Sequence, residues 1–593
     1  MKLKVLALDY DGTIAENGVL EQDVRAAIAE AREQGLYVIL VTGRILADLE
    51  RVAGDLQLFD GVVAENGAVV YFPESERSLL LSAAPSALFL KELSRRNLPY
   101  LIGESVVELD ASHAADVLEV IQETQLPLVL LFNRGRMMVL PQAVSKATGL
   151  REILRALRLS THNAIGIGDA ENDHQLLSCC EVGLAVEWGS PALKATADEV
   201  LHGEGPRAVA RYIERLTAEP RIPPDRLARR KTHLGVRKGG EPFELALRGR
   251  NVLIGGDTLS GKSWLTGVLC EQLALEHYCV CIIDPEGEYA TLESLPSVVV
   301  FDAAPHPPGL DDVERTLRYP DVSVVVDLSS MERDAKCRYV YQLLERLRDL
   351  RRRTGLPHRI VVDEAHYFLN DRDTTGLLDF ELGGYTLVTW HVSKLEPAAL
   401  SASETIIVTR ISDPEEAKAL HALRGREYDL EQWSEELRSL EHECAALLPG
   451  TEYPASGLVR FRVSARLTEH VRHLRKYLGQ RAPTGRAFVF DCPGPLDGVE
   501  AHSLEELLAA LSTGPDLSLH LRGQDLSRWI GAVLGDELLA RSVREIERRW
   551  ASEPLEHPHL ELISAIRTRY SADCSTRALH DESRRESSSP ATV

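Results

Sequence analysis

The sequence predicts an α/β multidomain protein built on two successive parallel sheets, and three observations carry that prediction. Short apolar runs ending in polar or acidic residues alternate with helix-compatible stretches from residue 1 to about 217. A second alternation of the same kind begins after a basic, Pro- and Gly-containing stretch that ends near residue 242. Each alternation carries a phosphate-directed motif where its first apolar run stops, DYDGT at residues 9–13 and GGDTLSGKS at residues 255–263.

Taken in order, VLALD, YVILVT, GVVAENGAVVY and NAIGIGD read as strands of a first domain, residues 1–217. Between them lies extra material, an inserted α/β cap at about 72–140, in which PLVLLFNRGRMMVLP reads as a hairpin around Asn-Arg-Gly. Residues 218–242 read as a basic linker. A second domain, 243–475, follows with NVLIGG, CVCIID, SVVVDL, RIVVDE, TLVTWH and TIIVTRI as strands. Within it Cys279 and Cys281 read as strand packing. A small α+β module at 485–570 opens with RAFVFD and turns to amphipathic helices, and the Ser-rich tail 571–593 is too poor in apolar residues to order itself.

The bulk properties narrow the function. A chain of 593 residues has room for several cores, at about 150 residues per domain. It offers no apolar run of the roughly 18 residues that a membrane span needs, and no export signal is expected from MKLKVLALDYDG. Nine cysteines are scattered without a C-x-x-C pair, so neither a disulfide framework nor a zinc site is expected, and a reducing cytoplasm is. A formal charge of −23 disfavours a surface that coats nucleic acid. The basic runs at 221–238 and RLRDLRRR at 346–353 are the candidates for a local exception.

Asp9 ends an apolar strand, where ligands of open α/β sheets collect. An ionised carboxylate there can attack phosphorus, provided that a divalent cation and a lysine offset the repulsion and a second carboxyl group handles protons. The chain supplies Asp11, Thr42 after YVILV, Lys146 in VSKATGL, and Asp169 with Asp173 in GIGDAENDHQLL. In that order these segments resemble the four motifs of haloacid-dehalogenase-like hydrolases, and ENGAVVY with the inserted cap resembles their Cof-type, phosphoglycolate-phosphatase-like branch. The resemblance implies Asp9 as nucleophile, Asp11 as general acid and base, and Thr42 with Lys146 on the phosphoryl group. It implies Mg²⁺ held by the Asp9 side chain, the Asp11 backbone carbonyl and Asp169, with Asp173 as ligand or support. Arg44 and Asn66 fall where that branch lines its substrate pocket.

In the second motif Gly256, Gly261, Lys262 and Ser263 follow G-x-x-x-x-G-K-[ST] between a strand and a helix. Backbone amides, the lysine and the serine hydroxyl there suit nucleotide phosphates and Mg²⁺. RIVVDE then ends a strand in Asp363, for the metal, and Glu364, for the attacking water. This half resembles HerA- and FtsK-like P-loop ATPases, which implies ATP as ligand and a ring-forming homo-oligomer. The resemblance makes Thr389 and His391 the sensor strand end, although VTWHVSKL departs from the family pattern. Arg410 resembles a position near the subunit interface and reads equally as a salt bridge, and Glu286 and Glu288 read as loop carboxylates.

The expectation is therefore two independent centres, a Mg²⁺-dependent phosphatase for a small phosphorylated metabolite and an ATPase of motor or regulatory type. A nucleic-acid motor with an end-trimming phosphatase, and a phosphatase on a nucleotide-sensing scaffold, are the alternatives.

Overall fold

Val5–Asp9, Ala164–Gly168 and Val182–Val186 are buried at every position. Continuous aliphatic runs of this kind suit parallel strands covered on both faces. The computed structural model describes residues 1–571 apart from 134, 228–229, 305, 371–375, 451–456, 469–481, 483–485, 494, 535 and 553–556. Residues 1–470 form one compact unit and residues 471–593 another.

The first sheet of the large unit runs in the order Glu199–Leu201, Val182–Val186, Ala164–Gly168, Val5–Asp9, Tyr37–Val41, Gly61–Ala64, Val69–Phe72, Arg77–Leu80. It is parallel through Gly61–Ala64 and antiparallel beyond. The cap was expected from about residue 72. Arg77–Leu80 instead closes a hairpin on Val69–Phe72, through a turn at Pro73–Ser75 and a left-handed Glu76, and so extends the core sheet. A separate antiparallel sheet has the order Leu128–Asn133, Arg136–Pro141, Val107–Asp110, Leu101–Ile102. It packs with helices Ala87–Arg95 and Ala114–Thr124 around Phe89, Leu93, Val117 and Met137. Leu128–Asn133 and Arg136–Pro141 pair as the expected hairpin, with Asn133 opposite Arg136, and residue 134 of the turn lies outside the described residues. Leu131 and Met138 join the core cluster of the main sheet, which seats this cap over it.

The second sheet has eleven strands. Val252–Gly255, Val280–Asp284, Ser323–Asp327, Arg359–Val362, Tyr385–Thr389 and Thr405–Val408 are the runs legible in sequence, and Val298–Asp302 adds a parallel edge. Four antiparallel strands, Cys444–Leu447, Val459–Val463, Thr232–Val236 and Pro242–Leu245, complete it. Residues 218–242 are thus not a free linker. Thr232–Val236 is a ladder strand with Leu234 fully buried, Arg226 grips Glu199 and Tyr212, and Arg230 donates to the carbonyls of Ser178, Cys180 and Glu181.

The two sheets meet at the amino ends of their strands. Asn163 donates to the Lys2 carbonyl and accepts from His358 Nε2 at 3.1 Å, while His358 Nδ1 accepts the Cys279 amide. His162 stacks on Tyr278 with centroids 3.6 Å apart, between Glu181 and the Glu276 carbonyl, and the Tyr278 hydroxyl donates to Glu181 at 2.7 Å. Arg158 lies over Tyr319, and Arg221 pairs with Glu381 at 3.2 Å. One buried cluster runs from Leu3 and Leu6 through Ile222, Leu234 and Phe243 to Tyr278 and Val280.

In the small unit a two-stranded ladder, Phe488–Val489 with Glu500–Ala501, packs with helices including Leu504–Leu511 and Glu537–Ser552 around Phe490, Leu507 and Val543. The tail expected to be disordered lies, from residue 572, outside the described residues. Among the described residues no helix is long and apolar enough to cross a membrane.

Candidate functional site

The turn that follows Val5–Asp9 and the helix Lys146–Ala156 converge on one buried cluster. Lys146 Nζ donates to Asp9 Oδ1 at 2.5 Å and to Asp173 Oδ1 at 2.6 Å. Ser145 and Thr148 form a reciprocal capping box that fixes the first turn of this helix. Gly67 lets the turn come close: a Cβ there would stand 1.9 Å from the Ser145 carbonyl oxygen, and its φ is +103°. Thr13, on the turn after Asp9, donates to Asp9 Oδ2 at 3.1 Å and reaches Asp169 Oδ1 at 3.4 Å. Asp173 Oδ2 accepts the amides of Asp169 and Ala170, each at 3.0 Å.

Ligand atoms of Asp9, Asp169 and Asp173 all lie within 4.8 Å of one another, and all three residues are buried. Burial raises the Asp9 pKa and Asp173 raises it further, with Lys146 opposing. Burial works against the Lys146 charge, but Asp173 and Asp9 outweigh it and hold its pKa above the usual value. Three carboxylates facing one lysine leave an excess of negative charge on hard oxygen donors, and this set fits Mg²⁺.

The other expected residues surround the cluster. Thr42 follows Val41, the register partner of Asp9, and its hydroxyl accepts the Arg44 amide at 3.1 Å. Arg44 makes a bidentate pair with Asp11 at 2.6 and 2.7 Å and a further bond to Asp48 at 2.6 Å, so the Asp11 carboxylate faces Arg44. Asn66 touches Met138 Sδ of the cap and accepts from Asn172 at 3.1 Å. The neighbouring Glu65 is fully buried and accepts the amides of Glu104 and Ser105 where the chain enters the cap. Both Glu65 and Asn66 hold φ above +50°, a conformation that side chains with a Cβ adopt at a cost.

A second centre forms at the carboxyl end of Val252–Gly255. A Cβ on Gly256 would stand 1.9 Å from Thr409 Oγ1, and Gly261 at φ +103° opens the helix Lys262–Leu275. Lys262 is buried and donates to the Asp257 carbonyl at 2.8 Å, with Ser263 next on the same turn. Asp363 and Glu364 are buried at the end of the strand two places along the sheet. Thr389 ends the strand between and pairs with His366 Nδ1 at 3.1 Å. His391 is held by Glu416 at 3.3 Å, and Arg410 lies 3.7 Å from Asp257 of its own chain. Asp284 accepts the amides of Gly287 and Tyr289 and so folds the loop that carries Glu286 and Glu288; burial and then Asp327 push its pKa up to about 7.

Sequence reasoning missed Thr13, Asp48 and His366. The first two had a signal in their spacing, four residues from Asp9 and from Arg44, and His366 stands directly after the acidic pair and an alanine. Burial, with His391 and Lys394, lowers the His366 pKa to about 3 and keeps the ring neutral, and its Nε2 is buried without a hydrogen-bond partner. The basic run 346–353 is spent within the fold: Arg346 pairs with Asp311, Arg352 with Asp379, Arg353 with Glu314, and Arg351 donates to the Gly383 carbonyl.

Comparison with known proteins agrees with this division. Residues 6–102 and 102–213 match the haloacid dehalogenase-like hydrolase family, and residues 246–386 match the central domain of helicase HerA. A phosphoglycolate phosphatase from Sulfurisphaera tokodaii is 27% identical over 214 residues, which is 35% of this chain and 92% of the relative. Its counterpart from Methanothermobacter thermautotrophicus is 29% identical over 222 residues, 36% of this chain and 99% of the relative. The crystal structure of a haloacid dehalogenase-like hydrolase from Bacteroides thetaiotaomicron is 19% identical, with a TM-score of 0.33 over 36% of this chain and 100% of its own. The chain therefore carries a haloacid-dehalogenase-superfamily hydrolase domain of phosphoglycolate-phosphatase-like type, joined to a HerA-type central domain.

Proposed function

We propose that the first domain is a Mg²⁺-dependent phosphatase for a small phosphoester and that the second binds and hydrolyses ATP, each at its own centre. The observation that carries the first half is the buried Asp9–Lys146–Asp173–Asp169 cluster at the strand ends. In this reading Asp9 attacks phosphorus and forms an aspartyl-phosphate, with Thr42 and Lys146 holding the phosphoryl oxygens. Asp11, once released from Arg44, protonates the departing alcohol and then takes a proton from the water that frees Asp9. Bound between Asp9, the Asp11 carbonyl and Asp169, with Asp173 behind, Mg²⁺ would supply charge neutralisation at the phosphoryl oxygens. The contact of Asn66 with Met138 of the cap, seated over the cluster, favours a small substrate, and the relatives' names make phosphoglycolate the first to test.

In the second domain Lys262 and the loop amides from Gly256 to Gly261 would take the nucleotide phosphates. Ser263 and Asp363 would take the metal, Glu364 the attacking water, and Thr389 with His366 would sense the γ-phosphate. A ring assembly belongs to this reading, as does a reducing cytoplasm, which suits the free cysteines. Nucleic acid is not favoured as substrate, because the chain carries a formal charge of −23 and Arg346, Arg352 and Arg353 of one basic run pair with carboxylates.

Phosphate release from phosphoglycolate, a sugar-phosphate panel and ATP tests the proposal. Asp9→Asn should cost phosphoester turnover at least about a hundredfold and spare ATP, and Lys262→Ala should do the reverse. Loss of both activities in either variant would overturn the independence of the centres.

A further inference from the structure

Where the two sheets face one another lies a half-open cavity of about 640 Å³, within the roughly 300–1,000 Å³ typical of small-ligand pockets. Arg151 and Arg155 reach it from the helix Lys146–Ala156, Arg230 and Lys231 from the connecting stretch, and Arg248 and His277 from the second domain. Glu152, Glu276 and Asp321 also line it, so cations outnumber anions in a chain whose formal charge is −23. Glu276 is paired with Arg248, whose Nε remains buried without a hydrogen-bond partner. Arg230 is committed to backbone carbonyls, whereas Arg151 and Arg155 are exposed and make no ion pair among the described residues.

We propose that this cavity is a binding site for a small polyanion, a nucleotide or a multiply phosphorylated metabolite, separate from both candidate centres. A concave, low-dielectric cavity whose lining carries more cations than carboxylates draws anions, and guanidinium forks match phosphate oxygens. The placement adds a second argument. The helices Lys146–Ala156 and Lys262–Leu275 each begin at the lysine of a candidate centre, and each ends at this cavity, through Arg155 and through Glu276 with His277. A ligand held here touches the far end of both.

The test uses the full chain carrying Asp9→Asn and Lys262→Ala, with EDTA present, so that neither centre competes. Calorimetric titration with inorganic tripolyphosphate, ATP and fructose 1,6-bisphosphate should give saturable binding by at least one probe below about 1 mM. Tighter binding of ATP than of tripolyphosphate would assign a nucleotide; equal binding would assign the phosphates alone. Adding Arg151→Glu with Arg155→Glu should weaken binding at least about tenfold, and the corresponding Gln pair should weaken it in the same direction. Arg77→Glu, on the exposed edge of the first sheet, should leave it unchanged. Absence of binding by every probe at that concentration, or equal affinity in the Arg151/Arg155 variants, would overturn the proposal.

Discussion

Glu181 is a carboxylate with no access to water whose charge is held across the junction of the two sheets. Burial opposes that charge, but His162, Arg230 and Arg248 outweigh it and bring the pKa from about 4.5 to about 2. A folded-state pKa below the unfolded one means that this stabilisation is complete above pH 4.5 and is lost as pH falls from there towards 2. Glu181→Gln should lower the unfolding free energy at pH 7 by about 3 kcal/mol and flatten its pH dependence over that window, measured by urea denaturation at a series of pH values. At this scale legibility was uneven for a physical reason. Asp9, Lys146, Lys262 and Asp363 stand out because each sits in a motif with fixed sequence offsets at a strand or helix end. Glu181, His162 and His358 do not, because their meaning comes from Tyr278, Glu276 and Asn163 across a junction that local sequence does not encode.

Among elements, the Lys146 helix depends on a crossing at two glycines. A Cβ on Gly149 would meet Val63 at 2.4 Å and Gly67 Cα at 2.7 Å, and one on Gly67 would meet the Ser145 carbonyl. Gly67→Ala should therefore push Lys146 away from Asp9 without unfolding the sheet. The expected result is a kcat reduced by about a hundredfold with a near-native circular dichroism spectrum. Strand legibility followed the same logic of environment. Val280–Asp284 and Val5–Asp9 are buried on both faces and read as unbroken apolar runs. Val459–Val463 alternates arginines with apolar residues in VRFRV, and Thr232–Val236 sits in a basic context, so neither reads as a strand from sequence alone. The second arm of the hairpin that follows Val69–Phe72, Arg77–Leu80, reads as cap because sequence shows a turn but not which sheet the strand after it joins.

For the molecule as a whole, residues 1–470 share one buried cluster across the junction, so cooperative unfolding should not respect the boundary between the two large sheets. Scanning calorimetry should give one transition for this unit, with both activities lost at the same temperature. A fragment ending at residue 217 should melt well below the full chain, since Leu3 and His162 would then face water. The two large parallel-containing sheets are legible in the sequence as two alternations, but their junction is not: residues 218–242 read as a linker, whereas Thr232–Val236 is a strand of the second sheet. Joining them through strand amino ends has a further consequence. The carboxyl ends of the strands, which carry the two candidate centres, lie at the far side of each sheet from the shared junction. Under the proposed function, a product of one centre would therefore reach the other through solvent. What the fusion secures is equal copy number and a common fate at turnover.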